Sequence, residues 1–115
     1  MIDMLQTWIE KIRSNNPSEV SDLYHKDGVL LGTFSNIERN GKRLILDYFK
    51  NLLKSQVDVK IITKHEYKTK DIAIASGLYN FIVNNKEIKA RFSFVFLKTK
   101  KNWEILSHHS SILPK

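Results

Sequence analysis

The sequence predicts a single α+β domain in which helices from the first half of the chain pack on an antiparallel sheet. Apolar residues recur at helical spacing in segments 2–13 and 41–53, whereas from residue 57 onward they fall at every second position. No repeat and no Gly/Pro/Ser-rich linker interrupts the 115 residues, so residues 1–115 are expected to form one domain. Helices grouped ahead of hairpins favour a layered α+β architecture over a parallel sheet.

The first helix is predicted over Ile2 to Arg13, where apolar residues lie on one face, namely Leu5, Trp8, Ile9 and Ile12. A short second helix is predicted to start at Asn16, which can cap it, with Pro17 in the first helical position. We expect this helix to end near Tyr24, ahead of a turn at residues 26–28.

A short strand is predicted at Val29–Leu31, because these three residues are all apolar. After a polar loop, Asn40 can cap a third helix. Its buried stripe is expected to consist of Ile45, Leu46, Phe49, Leu52 and Leu53.

Four antiparallel strands are predicted after the third helix, where the apolar period changes to two. They are expected around residues 57–61, 72–83, 91–96 and 103–109. Turns are predicted at 84–86, where two asparagines tolerate positive φ, and at Thr99 to Asn102. The predicted order is therefore helix, helix, strand, helix and four strands.

The composition excludes several kinds of site. With 42% hydrophobic residues the chain can form a core, and without cysteine it has no disulfide, thiolate metal site or cysteine nucleophile. The first residues do not resemble a secretory signal, and no apolar stretch is long enough to span a bilayer. We therefore expect a cytoplasmic protein with no membrane partner and no cofactor.

The formal net charge of +7 raises the question of nucleic-acid binding. The positive charge is mostly lysine and is spread along the chain without an arginine-rich arm. Its densest run, at residues 98–101, suits the tip of a hairpin better than a phosphate-binding track. The sequence therefore does not favour a nucleic-acid partner.

Two segments carry a resemblance to a known family. Ala90–Val95 matches an A-R-[YF]-[TS]-F-V strand, and Trp103–Pro114 matches a terminal W-x-I-x-x-H-H-S-S-x-x-P strand. Shorter pieces agree in order and spacing, namely Leu23-Tyr24, Asp27, Leu30, Thr33, Ser35-Asn36, Arg39, Tyr48-Phe49 and residues 76–81. On these residues the chain resembles the nuclear transport factor 2-like (SnoaL-like) superfamily. Within it, the chain is most similar to short bacterial proteins of the calcium/calmodulin-dependent protein kinase II association-domain family.

This resemblance implies a cystatin-like cone, in which a strongly curved antiparallel sheet wraps around the N-terminal helices and leaves a pocket at the wide end. It also implies a homodimer formed through the outer side of the sheet. The chain departs from the family pattern at Lys101-Asn102, where an Asp-Gly or Gly-Lys turn is usual. Because no kinase domain or calmodulin-binding segment is present, no kinase-linked role is carried over.

His109 is the first candidate site residue. Strict alternation places it on the same side as Trp103 and Ile105, facing the helices, and directs His108 outward. An imidazole at the pocket rim could bind a ligand and would titrate near neutral pH. A structural histidine bonded to a backbone carbonyl is the alternative. A metal pair with His108 is not expected, because adjacent strand residues diverge and no third ligand is evident.

Arg91 is the second candidate, because an arginine between apolar strand positions needs an anionic partner. Alternation places it opposite the phenylalanine face, which favours the dimer surface, whereas a bulge could turn it into the pocket. Both positions stay open. The aromatic residues Tyr79, Tyr48, Trp8 and Tyr24 are each expected either in the core or in the pocket wall. Tyr79, Tyr48 and Trp8 are the three predicted to contact the ligand.

Three functions follow from these residues. The leading prediction is a non-catalytic homodimer whose pocket binds a small anionic or carboxylate-bearing molecule through His109 and Arg91. The first alternative is an isomerase, cyclase or dehydratase with His109 as general base, although no acid partner for it is evident. The second alternative is a purely structural oligomerisation module. Ser110 and Ser111 show no spacing typical of a hydrolase triad.

Overall fold

In the computed structural model, which describes residues 3–100 and 102–115, three helices pack against one six-stranded sheet. Ile2, predicted to open the first helix, and Lys101, predicted to lie in the last turn, are outside the described residues. The elements in chain order are α1 (Met4–Arg13), α2 (Pro17–Ser21), β1 (Tyr24–Leu31), β2 (Arg39–Asn40), α3 (Lys42–Leu52), β3 (Val57–Lys68), β4 (Ile72–Val83), β5 (Lys86–Lys98) and β6 (Trp103–Ile112).

The strand order is β2-β1-β6-β5-β4-β3. All neighbouring strands are antiparallel except β1 and β6, which run parallel. The predicted α+β class, with a curved and mostly antiparallel sheet against the helices, is confirmed. The parallel pairing of β1 with β6 was not predicted, because it joins segments more than seventy residues apart.

The helix caps follow the expected chemistry at two of three sites. Asp3 caps α1 by accepting hydrogen bonds from two backbone amides, and Asn16 caps α2 in the same way, with Pro17 in the first position. The predicted Asn40 cap of α3 is wrong. Gly41 occupies that position, whereas Asn40 lies in β2 and donates from Nδ2 to the Gly28 carbonyl at 3.3 Å.

Two further boundaries differ from prediction. Helix α2 ends at Ser21 and not near Tyr24, which instead begins β1. Residues 26–28 lie inside β1 and not in a turn, because the pairing of β1 with β6 shifts register between Tyr24 and Val29. The irregular stretch between those two residues carries the turn-like sequence.

The core fills the space between α1, α3 and the inner face of the sheet. From α3 it takes Ile45, Tyr48, Phe49 and Leu52, whereas Leu46, predicted to be buried, is only half-buried. Aromatic rings from α1 and the sheet make up its centre, including Trp8, Tyr79, Phe92 and Phe94. The predicted asparagine turn is present at Asn84 and Asn85, with φ of 50° and 68°.

Candidate functional site

The inward and outward sides of β6 are set by a bulge against β5. Phe96 pairs with Ile105 and Val95 pairs with Ser107, so Leu106 is an extra residue in β6. Beyond this bulge the alternation changes phase, which turns His108 and Ser110 inward and His109 outward. The predicted inward His109 and outward His108 are therefore both wrong, because strict alternation holds only for a strand without an inserted residue.

His108 lies at the centre of the core and is 2% exposed. Its ring stacks on Phe94, with centroids 3.8 Å apart, and meets Trp8 edge-on at 5.2 Å. Burial, with a smaller contribution from His109, lowers the pKa of His108 to about 3. The imidazole is therefore neutral at physiological pH.

A continuous chain of hydrogen bonds runs through this histidine. Trp8 Nε1 donates to the Tyr24 hydroxyl at 3.2 Å, and that hydroxyl lies 2.8 Å from His108 Nδ1. On the other side of the ring, His108 Nε2 lies 3.2 Å from the Tyr79 hydroxyl. Tyr79 donates to Ser110 Oγ at 2.6 Å, and Ser110 Oγ lies 2.6 Å from Thr33 Oγ1. We call these six residues the hydroxyl chain.

The direction of the protons along the hydroxyl chain follows from counting donors. Because the single hydroxyl proton of Tyr79 goes to Ser110, His108 Nε2 must carry the proton that it shares with Tyr79. The neutral ring then accepts at Nδ1, so the Tyr24 hydroxyl donates there while accepting from Trp8. Each donor in the hydroxyl chain, from Trp8 to Tyr79, is therefore directed toward the Ser110 end.

The predicted pocket aromatics lie in packed positions. Trp8 and Tyr79 belong to the hydroxyl chain and are 1% and 0% exposed. Tyr48 packs directly over Gly32, where an added Cβ would lie 2.5 Å from the tyrosine ring, and its hydroxyl accepts from the Phe34 amide at 3.4 Å. Burial raises the pKa of Tyr48 to about 12. The structure thus gives all three residues packing and hydrogen-bonding roles in the core.

Arg91 and His109 come together on the outer face of the sheet. Arg91 Nε donates to Ser111 Oγ at 3.2 Å, and His109 pairs with Ser93 on the neighbouring strand. Together they line a shallow depression of about 220 Å³. The five predicted ligand-binding residues are therefore divided between the two faces of the sheet, with Trp8, Tyr48 and Tyr79 inside and these two outside.

Two larger concavities lie at the margins of the sheet. The mouth groove, about 360 Å³, lies beside the start of α1 and is lined by Leu5, Tyr67, Ala75, Phe96 and Trp103, among others. The β6 groove, about 410 Å³, lies between residues 31–38 and residues 109–112. Neither groove nor the outer depression is lined by Trp8, Tyr48 or Tyr79.

The members of the hydroxyl chain that sequence reasoning missed are Thr33, His108 and Ser110. The available signal was the His-His-Ser-Ser run in a strand of otherwise alternating residues. Because the two histidines are adjacent and the two serines are adjacent, the sequence does not show which member of each pair faces the core. Only the pairing of β6 with β5 decides this.

The described residues offer no metal centre, because no three histidine, aspartate or glutamate side chains lie close enough together to hold an ion. Within residues 3–100 and 102–115, none of the helices has the length and apolarity needed to cross a membrane.

Comparison with known proteins agrees with the fold. A Xanthomonas campestris structure, named as a calcium/calmodulin-dependent protein kinase II association domain, is 35% identical, with 96% of this chain and 84% of that chain covered and a TM-score of 0.91. A Streptomyces avermitilis protein, named as a dehydratase of the NTF2-like family, is 14% identical over 97% and 92% of the chains at a TM-score of 0.87. A protein from Parabacteroides distasonis, named as a ketosteroid isomerase, is 19% identical, with 95% of this chain and 84% of that chain covered and a TM-score of 0.81.

The predicted resemblance is confirmed at the level of sequence as well. Curated proteins include none with a significant match to this chain. A family model described as the SnoaL-like domain matches residues 2–114, which is nearly the whole sequence. The chain therefore belongs to the SnoaL-like family and has the NTF2-like fold, with a bacterial association-domain protein among its relatives.

Proposed function

We propose that this chain is a non-catalytic association domain that forms a homodimer through the outer face of its sheet. The observation that carries the proposal is the outward row of β4, the interior strand next to the edge strand β3. This row has no charged residue in a chain that is 27% charged. Its members are Ile72, Ile74, Ser76, Leu78, Asn80 and Ile82, of which Ile74 is exposed and Asn80 is buried.

The neighbouring strand β5 extends this uncharged surface over the first half of the row only. Val95 and Leu97 pair with Ile74 and Ile72, and Ser93 pairs with Ser76, whose hydroxyl lies 3.1 Å away. The residues of β5 that pair with the rest of the row are charged, namely Arg91, Lys89 and Glu87. Ile74 is 39% exposed although it is a large aliphatic residue in an interior strand of the sheet. An exposed aliphatic surface on a sheet is typical of a protein interface.

A second copy of the chain is the partner that this surface fits best. Two chains that each carry +7 repel one another over most of their surfaces, so they can approach closely only where charge is absent. A surface of uncharged aliphatic and serine residues can be complementary to itself about a two-fold axis. The Xanthomonas campestris relative, named as an association domain, supports the same function.

Two observations support a non-catalytic role over the isomerase or dehydratase alternative. Both ring nitrogens of His108 are engaged in the hydroxyl chain, so this histidine has no free position for proton transfer to a substrate. His109 makes no contact with an acid among the described residues, and it faces outward. The neighbours named as enzymes are 19% and 14% identical, and such similarity supports the fold alone.

The positions of the predicted binding residues remove the main support for an anionic ligand inside the cone. Its two predicted anchors, Arg91 and His109, lie on the outer face, and the aromatic residues expected to form its walls are packed in the core. The association role does not depend on that ligand.

Sedimentation equilibrium across micromolar concentrations tests the proposal. The wild-type chain is expected to have twice its 13.5 kDa mass. Ile74→Lys should give a monomer, because it introduces a charge into the uncharged row. Ile37→Lys is the matched control, since Ile37 is 50% exposed but lies in the loop after β1. A monomeric wild type, or an Ile74→Lys variant that still dimerises as well as Ile37→Lys, would contradict the proposal.

A further inference from the structure

We propose that the outer depression, the shallow hollow of about 220 Å³ on the outer face of the sheet, binds phosphate as the free ion or as a monoester. Four polar side chains surround it, and Phe92 completes its lining; the four are Arg91, Ser93, His109 and Ser111. They form a square, because Arg91 pairs with Ser111 and Ser93 pairs with His109 across β5 and β6. The proposal does not rest on the homodimer, since all four residues belong to one chain.

Arg91 supplies the positive charge of the outer depression. Its Nε donates to Ser111 Oγ at 3.2 Å, which ties one edge of the guanidinium to β6. Among the described residues it has no ion pair with an acid. Its neighbours on the same face are Lys89 and Ser93 along β5 and Leu78 on β4, so no carboxylate lies beside it in the sheet. The terminal N–H groups of the guanidinium are therefore available to an anion.

The other three side chains add hydrogen-bond donors. Ser111 accepts from Arg91, and its own proton has no acceptor within residues 3–100 and 102–115. His109 makes no side-chain hydrogen bond in that part of the chain, and Ser93 shares one proton with the Ser76 hydroxyl, 3.1 Å away. A phosphate group has three or more acceptor oxygens in a tetrahedral arrangement, whereas a carboxylate has two in one plane. Donors that surround the ligand from two strands therefore suit phosphate better.

The size and the charge of the outer depression both favour a small anion. Its volume is below the roughly 300–1,000 Å³ typical of pockets for drug-sized ligands. Glu38 lines the adjoining β6 groove, which shares His109 and Ser111, but it does not line the outer depression. The net charge of +7 favours the approach of anions from solution. The depression is therefore suited to an ion or to a phosphate group at the end of a larger molecule.

The experiment is an amide chemical-shift titration of the ¹⁵N-labelled chain with inorganic phosphate, at an ionic strength held constant with sodium chloride. Shifts are expected in residues 91–93 and 109–111. Arg91→Gln should weaken binding about tenfold or more, because hydrogen bonds from a charged donor are lost. Lys89→Gln is the matched control. It removes the same charge from the same face of β5, two residues away, and should weaken binding by no more than about twofold, because salt screens exposed charges.

Methyl phosphate distinguishes the two sources of the group, because the ester binds as tightly as the free ion only if one phosphate oxygen faces out of the depression. Unfolding midpoints show whether each variant is folded. The proposal is overturned if millimolar phosphate shifts none of these amides, if Arg91→Gln and Lys89→Gln bind alike, or if acetate binds as tightly as phosphate. It is also overturned if Arg91→Gln alone lowers the mass found by sedimentation equilibrium without phosphate, since Arg91 would then contact a second copy of the chain.

Discussion

Lowering the pH from 7 to 5 is expected to reduce the free energy of unfolding by about 2 kcal/mol through His108 alone. Burial lowers the pKa of this imidazole from 6.5 to about 3 in the folded chain. Between those two values the unfolded chain binds a proton that the native chain does not. Stability therefore falls as the pH falls, by about 1.4 kcal/mol for each pH unit below 6.5. The loss is complete near pH 3.

His108→Phe should abolish this contribution, since phenylalanine keeps a ring against Phe94 but cannot be protonated. At pH 7 the variant is expected to be less stable by about 1–3 kcal/mol, because the Tyr24 hydroxyl loses its acceptor in the core. At pH 5 the two chains should therefore be nearly equal in stability. A stability difference that is present at pH 7 and absent at pH 5 is expected only if His108 is buried and neutral in the folded chain.

Urea unfolding at a fixed protein concentration, at pH 7 and pH 5, measures these differences. His109→Phe is the control, because it changes the neighbouring exposed histidine and keeps His108 with its contacts in the core, so the loss of stability at pH 5 should remain. If His108→Phe loses as much stability as the wild type between the two pH values, the neutral buried imidazole is not the source of the effect.

Three further changes test the packing around the site. Tyr79→Phe should reduce stability by about 1–3 kcal/mol, because it interrupts the hydroxyl chain, whereas Tyr67→Phe, at a side chain 67% exposed, should be nearly neutral in the same urea assay. Gly77→Ala should prevent normal folding, as judged by amide spectra, because its Cβ would clash with the Thr63 carbonyl oxygen, which belongs to the backbone and cannot easily move away. Asn85→Val should lower stability by about 1–2 kcal/mol in thermal unfolding, because a β-branched residue is strained at φ 68°.

Local sequence signals predicted the helices and hairpins well where the chemistry is short-range. The apolar stripe of α1 and the Asn16 cap depend on residues within a few positions of one another, and both are present in the structure. The positive φ of Asn84 and Asn85 likewise follows from what asparagine tolerates in a turn. Such features can be predicted from residues close together in the sequence, without knowing which strands pair.

The site residues could not be predicted in the same way, because their orientation depends on pairing between distant segments. One inserted residue, Leu106, reverses the facing of His108 and His109, and nothing in the alternation of β6 marks it. Asn40 was expected to cap α3, but tertiary pairing with β1 holds it in β2. The outward side of Arg91 was indicated correctly by alternation, since no bulge separates it from Phe92 and Phe94.

The parallel contact between β1 and β6 has a kinetic consequence. Strand β6 follows every other element in the sequence, yet it lies between β1 and β5 and supplies His108 and Ser110 to the interior. During synthesis, the earlier hairpins can therefore form on the ribosome while the inner face near Tyr24 and Tyr79 stays open to water. Pairing of β6 with β1 is a late, long-range step of the kind that slows folding and keeps apolar surface exposed for longer.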